Sequence, residues 1–178
     1  MHPVPLLPAD LAEPAELVEA VRARRGGALF GLDRLLLHSP PLARGWNTFM
    51  GTVRRGLSLS PRLAELAICR VAVLNGAEYE WHHHAPEFEA AGGHAEELAA
   101  LRDENPAEDT RLDAISRAVV GLADAMTRTV TVPAPVMSEL RDALGDQALV
   151  ELVGTIAAYN MVSRVLVACG LSPEDDAA

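Results

Sequence analysis

Apolar residues along this chain recur at spacings of three and four, and no segment sustains the two-residue alternation of a half-buried strand. That pattern predicts an all-α protein. Helices are expected at about 14–25, 29–38 and 41–57, behind a Pro-rich extended arm over residues 1–13. The stretch "SPRLAELAICRVAVLNG" marks a helix at both ends. Ser60 stands at the capping position, Pro61 at the first helical position, and Asn75-Gly76 supplies a left-handed ending. The next helix is expected from Ala77 to Ala91, closed by Gly92-Gly93 and bent at Pro86, which cannot donate to the carbonyl of His82. A short helix follows at about 94–103, then a charged loop, "DENPAEDT". Helices at about 109–127, 133–143 and 146–169 read as one antiparallel cluster, and 171–178 as a flexible tail. Residues 14–170 thus form one expected domain.

Composition narrows the picture. With 178 residues, 49% hydrophobic and 22% charged, the chain can bury a core and is not disordered. The net charge is −10, and every one of the fifteen basic residues is arginine. An acidic chain without a basic stripe argues against a nucleic-acid partner, and 4% aromatics leave no stacking platform for single strands. The small arginine clusters at Arg22, Arg24, Arg25 and at Arg54, Arg55 read as solvated helix ends. Cys69 and Cys169 are isolated and form no CxxC pair, which suits small buried apolar groups in a reducing compartment. The N-terminus lacks the basic segment of a secretory leader, and the longest apolar run, between Glu151 and Arg164, has twelve residues. The expectation is a cytoplasmic protein with no membrane partner.

The candidate chemistry lies in "GAEYEWHHHAPEF", residues 76–88. Glu80 and His84 are four apart and share a helix face, where a carboxylate can hold an imidazole and favour its protonated form. Tyr79 and His83 share the neighbouring face. Successive residues turn by about 100°, so His82, His83 and His84 cannot converge on one metal. One helix earlier, Glu65 lies on a stripe with Ile68, Cys69 and Ala72, where a carboxylate is costly unless it is paired. Two readings stand for it: a salt bridge to Arg62, or a place in a site with Glu80 and His84.

Glu65, eleven residues, Ala77, two residues, Glu80, three residues and His84 resembles the signature of the alkylhydroperoxidase D-like branch of the carboxymuconolactone decarboxylase family. In that signature the pattern is Glu, eleven residues, CxxC, three residues, His, often with a Tyr or His before the second Cys, where Tyr79 stands here. "ELAICRVAVLNGAEYEWHHH" looks like the family's central helix pair, and "LVELVGTIAAYNMVSRVLVACGL" like its terminal helix. The likeness extends over about residues 40–170. It implies an all-α, alkylhydroperoxidase D-like helical bundle that self-associates, commonly as a trimer or hexamer.

The departures change the chemistry. Ala77 and Glu80 occupy the cysteine positions, so thiol peroxidase activity is not expected. The remaining groups suit cofactor-free acid–base work, decarboxylation or isomerisation, on a small carboxylated or carbonyl substrate. Glu65 would orient His84, Glu80 would act at the reacting end, and Tyr79 would hold a developing enolate. His83 and Asn160 are candidate substrate contacts, and Arg70 or Arg164 could supply positive charge. Two alternatives remain: a metal-dependent enzyme built on Glu65, Glu80 and His84, and a non-catalytic oligomeric binding protein.

Overall fold

The computed structural model describes residues 2–176. The elements are eight α-helices: α1 (Ala15–Arg25), α2 (Gly31–Leu36), α3 (Pro40–Arg55), α4 (Pro61–Asn75), α5 (Glu78–Ala90), α6 (Ala95–Leu101), α7 (Ala114–Arg128) and α8 (Ala134–Cys169). Single 3-10 turns cover Pro106–Glu108 and Pro173–Asp176, and no strand occurs among the described residues. The fold class is all-α, as the spacing predicts.

Where the sequence suggests one domain over 14–170, the contacts divide into two compact units. One holds residues up to Leu57 together with those from Ala168 onward, and the other runs Ser58–Val167. In the first unit, α3 packs against α1 and α2. The arm ahead of α1 is pinned there: Arg34 Nε donates to the Leu7 carbonyl at 2.6 Å and Arg22 Nη2 to that of Ala9 at 3.0 Å. The expected flexible tail is instead tied down as far as residue 176. Leu171 is buried, Asp175 Oδ2 accepts from the Ser172 amide at 2.9 Å, and His2 Nε2 lies 2.8 Å from Asp175 Oδ1. The acidic "PEDD" turns back on itself because Asp175 satisfies a nearby amide, a local bond that composition does not reveal. Residues 177–178 lie outside the described residues.

In the second unit, α4 is the centre, packed against α5, α6 and α7. It has almost no polar face, and Leu66, Ala67, Ile68, Cys69, Val71 and Ala72 are all at most 1% exposed. Such a helix has to be covered on every side. Each large apolar side chain so buried contributes about 1.5–3 kcal/mol relative to exposure. Pro61 opens the helix, although the Ser60 side chain makes no capping bond. Gly76 closes it at φ 62°, a left-handed value that a side chain would strain, and the chain passes directly into α5. α7 begins later than expected because Asp113 is its cap, accepting from the Ser116 amide at 2.7 Å. It lies against α4 rather than grouping first with the helices that follow it. The two C-terminal helices run on as one element, broken at Gly145 (φ 80°, ψ 167°).

α8 is the one helix among the described residues long and apolar enough by composition to cross a membrane, and half of its most apolar window is buried inside the chain. That burial is what a core helix needs, and the arginine-bounded run of twelve understates its apolar length.

α4 carries two buried charges, Glu65 and Arg70, at 5% and 1% exposure. Arg70 gives both Nε and Nη2 to the Asp124 carboxylate of α7, at 2.6 and 2.8 Å, and Nη1 to the Leu101 carbonyl at 2.7 Å. This bidentate pair occupies the cation that was a candidate substrate contact. Replacing Arg70 with Met should cost about 3 kcal/mol or more in urea unfolding, because Asp124 and the Leu101 carbonyl are left without their donor. A loss below about 1 kcal/mol would show that the pair does not hold α4 to α7.

Candidate active site

Glu80, His84 and Phe88 fall on one line of α5, and all three are buried against the second unit's core. The turn at Gly76 sets α5 beside α4 so that Glu65, nineteen positions before His84, meets its ring. His84 Nδ1 donates to Glu65 Oε2 at 2.7 Å. Its other nitrogen, Nε2, lies 3.3 Å from Glu80 Oε2 one helical turn away. The second contact is an ion pair rather than an aligned hydrogen bond, and Glu80 Oε2 has no aligned donor. The result is an imidazole between two buried carboxylates.

The electrostatics follow from this packing. Burial by itself would drive His84 toward its neutral form, but the hydrogen bond to Glu65 and the nearby carboxylate of Glu80 outweigh it and raise the pKa above the ordinary 6.5. The same surroundings act on Cys69. Burial, with the negative charges of Glu65 and Glu80 adding to it, pushes its thiol far up, so it stays protonated and is no nucleophile.

The site brings together Glu65, Glu80 and His84. The salt-bridge reading of Glu65 with Arg62 fails, because Arg62 turns instead to Glu97 and to Ser116 Oγ, the latter at 3.1 Å. Tyr79 and His83 form a pair of their own, with rings 4.4 Å apart and His83 Nδ1 2.8 Å from the Tyr79 carbonyl. His82 is exposed. Asn160 makes all four bonds its amide allows. Nδ2 donates to Thr127 Oγ1 at 2.9 Å and to the Ile156 carbonyl at 3.0 Å, while Oδ1 accepts from Asn75 at 3.2 Å and Arg164 at 2.9 Å. That saturation corrects the reading of Asn160 as a substrate contact and leaves Arg164 tied to the same amide.

Sequence reasoning missed Tyr159. Its ring meets His84 edge-on, with centroids 4.9 Å apart and planes at 88°, and both side chains are buried. A faint signal existed: it is one of only two tyrosines and sits inside the apolar stretch of α8. No group of three His, Cys, Asp or Glu side chains among the described residues is arranged to hold a metal ion.

The carboxymuconolactone decarboxylase family matches the chain over residues 40–125, the segment holding Glu65, Glu80 and His84. Among solved structures, the chain resembles an uncharacterized peroxidase-related protein from Silicibacter sp. TM1040, with a TM-score of 0.78 and 19% identity over 94% of this chain and 89% of that one. It is also similar to a protein of unknown function from Agrobacterium tumefaciens described as a putative antioxidant defence protein AhpD, with a TM-score of 0.70 and 21% identity, covering 78% of this chain and 94% of that one. A third is a cysteine-to-alanine variant of the debrominase Bmp8 in complex with 2,3,4-tribromopyrrole, with a TM-score of 0.71 and 16% identity, covering 95% of this chain and 91% of that one. At these identities the likeness is one of fold. No curated protein sequence matches the chain.

Because the folded pKa of His84 is raised, the stability it contributes is fully present below pH 6.5 and is lost as pH rises through the folded value. The melting temperature of the wild type should therefore fall over that alkaline-going window. His84→Gln should flatten this part of the profile. Equal slopes in the two proteins would show that His84 is not held as an imidazolium.

Proposed function

We propose that this protein is a cofactor-free acid–base enzyme acting on a small carbonyl compound, in an isomerisation. The observation that carries the reading is the buried imidazole of His84 between Glu65 at 2.7 Å and Glu80 at 3.3 Å. In this reading Glu65 is a positioning residue: it fixes the ring and keeps it protonated. Glu80 as carboxylate takes a proton from carbon beside the substrate carbonyl. The C–H electron pair moves into the carbonyl to give an enolate, whose charge the His84 imidazolium stabilises. Return of the proton at the same or another carbon completes exchange or isomerisation.

Arg70 and Arg164, the cations considered for an anionic substrate, are both engaged elsewhere, which favours a carbonyl compound over a carboxylate. The thiol route has no support, since Ala77 and Glu80 stand at the signature's cysteine positions and Cys69 is held protonated.

The test is deuterium uptake from D2O into a panel of small ketones, lactones and keto acids, followed by proton NMR. Catalysed exchange above buffer should appear for some member. Glu80→Gln should slow it by about 100-fold or more, and Cys69→Ala should leave it unchanged. Absence of exchange across the panel would return the chain to a non-catalytic binding role, and full exchange by Glu80→Gln would show that Glu80 is not the base.

We also infer self-association through α8, expected as a trimer or hexamer. Val150 and Met161 are 70% and 37% exposed, and with Ala157 they follow one line of that helix. Light scattering on eluting protein should give a multiple of the 19.0 kDa chain mass. Met161→Glu should reduce that multiple. A wild type running at one chain mass would refute the association.

A further inference from the structure

Away from the carboxylates, the first unit concentrates the opposite charge. The two arginine clusters that looked like separate solvated helix ends come together there, because α1 and α3 pack so that their C-terminal ends meet. Arg55, the last residue of α3, donates from Nη2 to the carbonyl of Arg24 near the end of α1. Arg24 Nε donates to Asn47 Oδ1 on α3, and Arg24 Nη2 lies 3.0 Å from Asp33 Oδ1. Arg25 Nε lies 2.9 Å from Asp33 Oδ2, and its guanidinium sits over the Phe30 ring at 4.9 Å.

Charge and bonding are both out of balance in this cluster. Asp33 is 3% exposed and faces Arg24 and Arg25, while Arg55 adds a third positive charge near enough to act on Arg24. Asp33 is also spent: Oδ2 accepts from the Phe30 amide at 3.2 Å as well as facing Arg25. Arg25 makes no aligned hydrogen bond, and its buried Nε has none. Among the described residues, its terminal nitrogens and those left over on Arg55 meet no aligned acceptor. Burial first, and then the neighbouring Arg25 and Arg55, outweigh Asp33 and pull the Arg24 guanidinium below its ordinary value. A small cleft opens beside Arg24, lined also by Asp33, Asn47 and Trp46.

Helix-end solvation accounts for arginines near each C-terminus, where the helix dipole favours them. It does not account for two guanidinium groups on one buried carboxylate, with a third brought beside them from α3, in a chain of net charge −10. We propose that Arg25 and Arg55, backed by Arg24, form a binding site for a small phosphate-type oxyanion, either the free ion or the phosphoryl group of an ester. Planar guanidinium forks match such oxygens in pairs, and an acidic protein surface elsewhere would confine the anion to this spot.

The test is phosphorus NMR of inorganic phosphate titrated with the full chain at constant ionic strength, set with sodium chloride. Saturable one-site broadening is expected, with a dissociation constant below about 10 mM. Arg25→Gln with Arg55→Gln should weaken it at least about tenfold while the circular dichroism spectrum is unchanged, since the Arg24–Asp33 pair is left in place. Methyl phosphate run in parallel separates the sources: tighter binding than phosphate identifies an ester, and weaker binding identifies the free ion. No saturable binding by folded wild type for either probe, or equal binding by the double variant, overturns the site.

Discussion

A carboxylate inside a packed helix has to meet a proton or a cation, and Glu65 meets both in His84. Left bare, that buried charge would cost several kcal/mol. The hydrogen bond at 2.7 Å therefore constrains how α4 and α5 can lie beside each other, since sliding either helix by one residue would break it. Arg70 imposes the same condition on α7 through Asp124, and Arg62 on α6 through Glu97 at the edge of the core. Apolar packing around Leu66, Ile68 and Val71 supplies most of the attraction but has little register of its own. The three polar contacts supply the register, one for each helix that covers α4.

The same constraint shapes the chemistry available in the second unit. Two buried carboxylates keep the His84 imidazole protonated and the Cys69 thiol protonated, one by pairing with it and the other by repelling its thiolate. Both groups therefore hold their protons more firmly than they would in water, and thiolate attack is disfavoured there. Tyr159, packed edge-on to the ring at 4.9 Å, limits its rotation and so keeps both nitrogens aimed at carboxylates.

Local chemistry made much of this legible in the sequence. Pro61 and Gly76 bound α4 because each has a backbone preference that acts without tertiary help. The four-residue spacing of Glu80 and His84 placed them on one face for the same reason. Glu65 was ambiguous from its own helix, where Arg62 is as near as anything, and the resemblance to a spaced signature drew attention to His84. What stayed hidden depends on distant partners. Nothing in "AAYNM" says that Tyr159 meets His84 while its neighbour Asn160 spends four bonds on Asn75, Thr127, Ile156 and Arg164. The tail was misread because its acidic composition suggests solvation, whereas Asp175 closes a turn and meets His2. The meeting of the two arginine clusters was hidden for a related reason: it is a property of how α1 packs on α3.

Residue 80 is where this chain differs most instructively from the signature it resembles. One helical turn before His84, a thiol would be a nucleophile that the imidazole helps to ionise. A carboxylate at the same place faces the same nitrogen at 3.3 Å but has nothing to gain from being ionised by it. It instead becomes the imidazolium's second counter-charge, with its Oε2 lacking an aligned donor. The Glu65–His84 bond is indifferent to this exchange, because it lies on the other side of the ring. A scaffold built on that bond can therefore accept a different group at this one position without repacking, provided the new group is buried, ionisable and in register with the ring. Glu80 meets all three conditions.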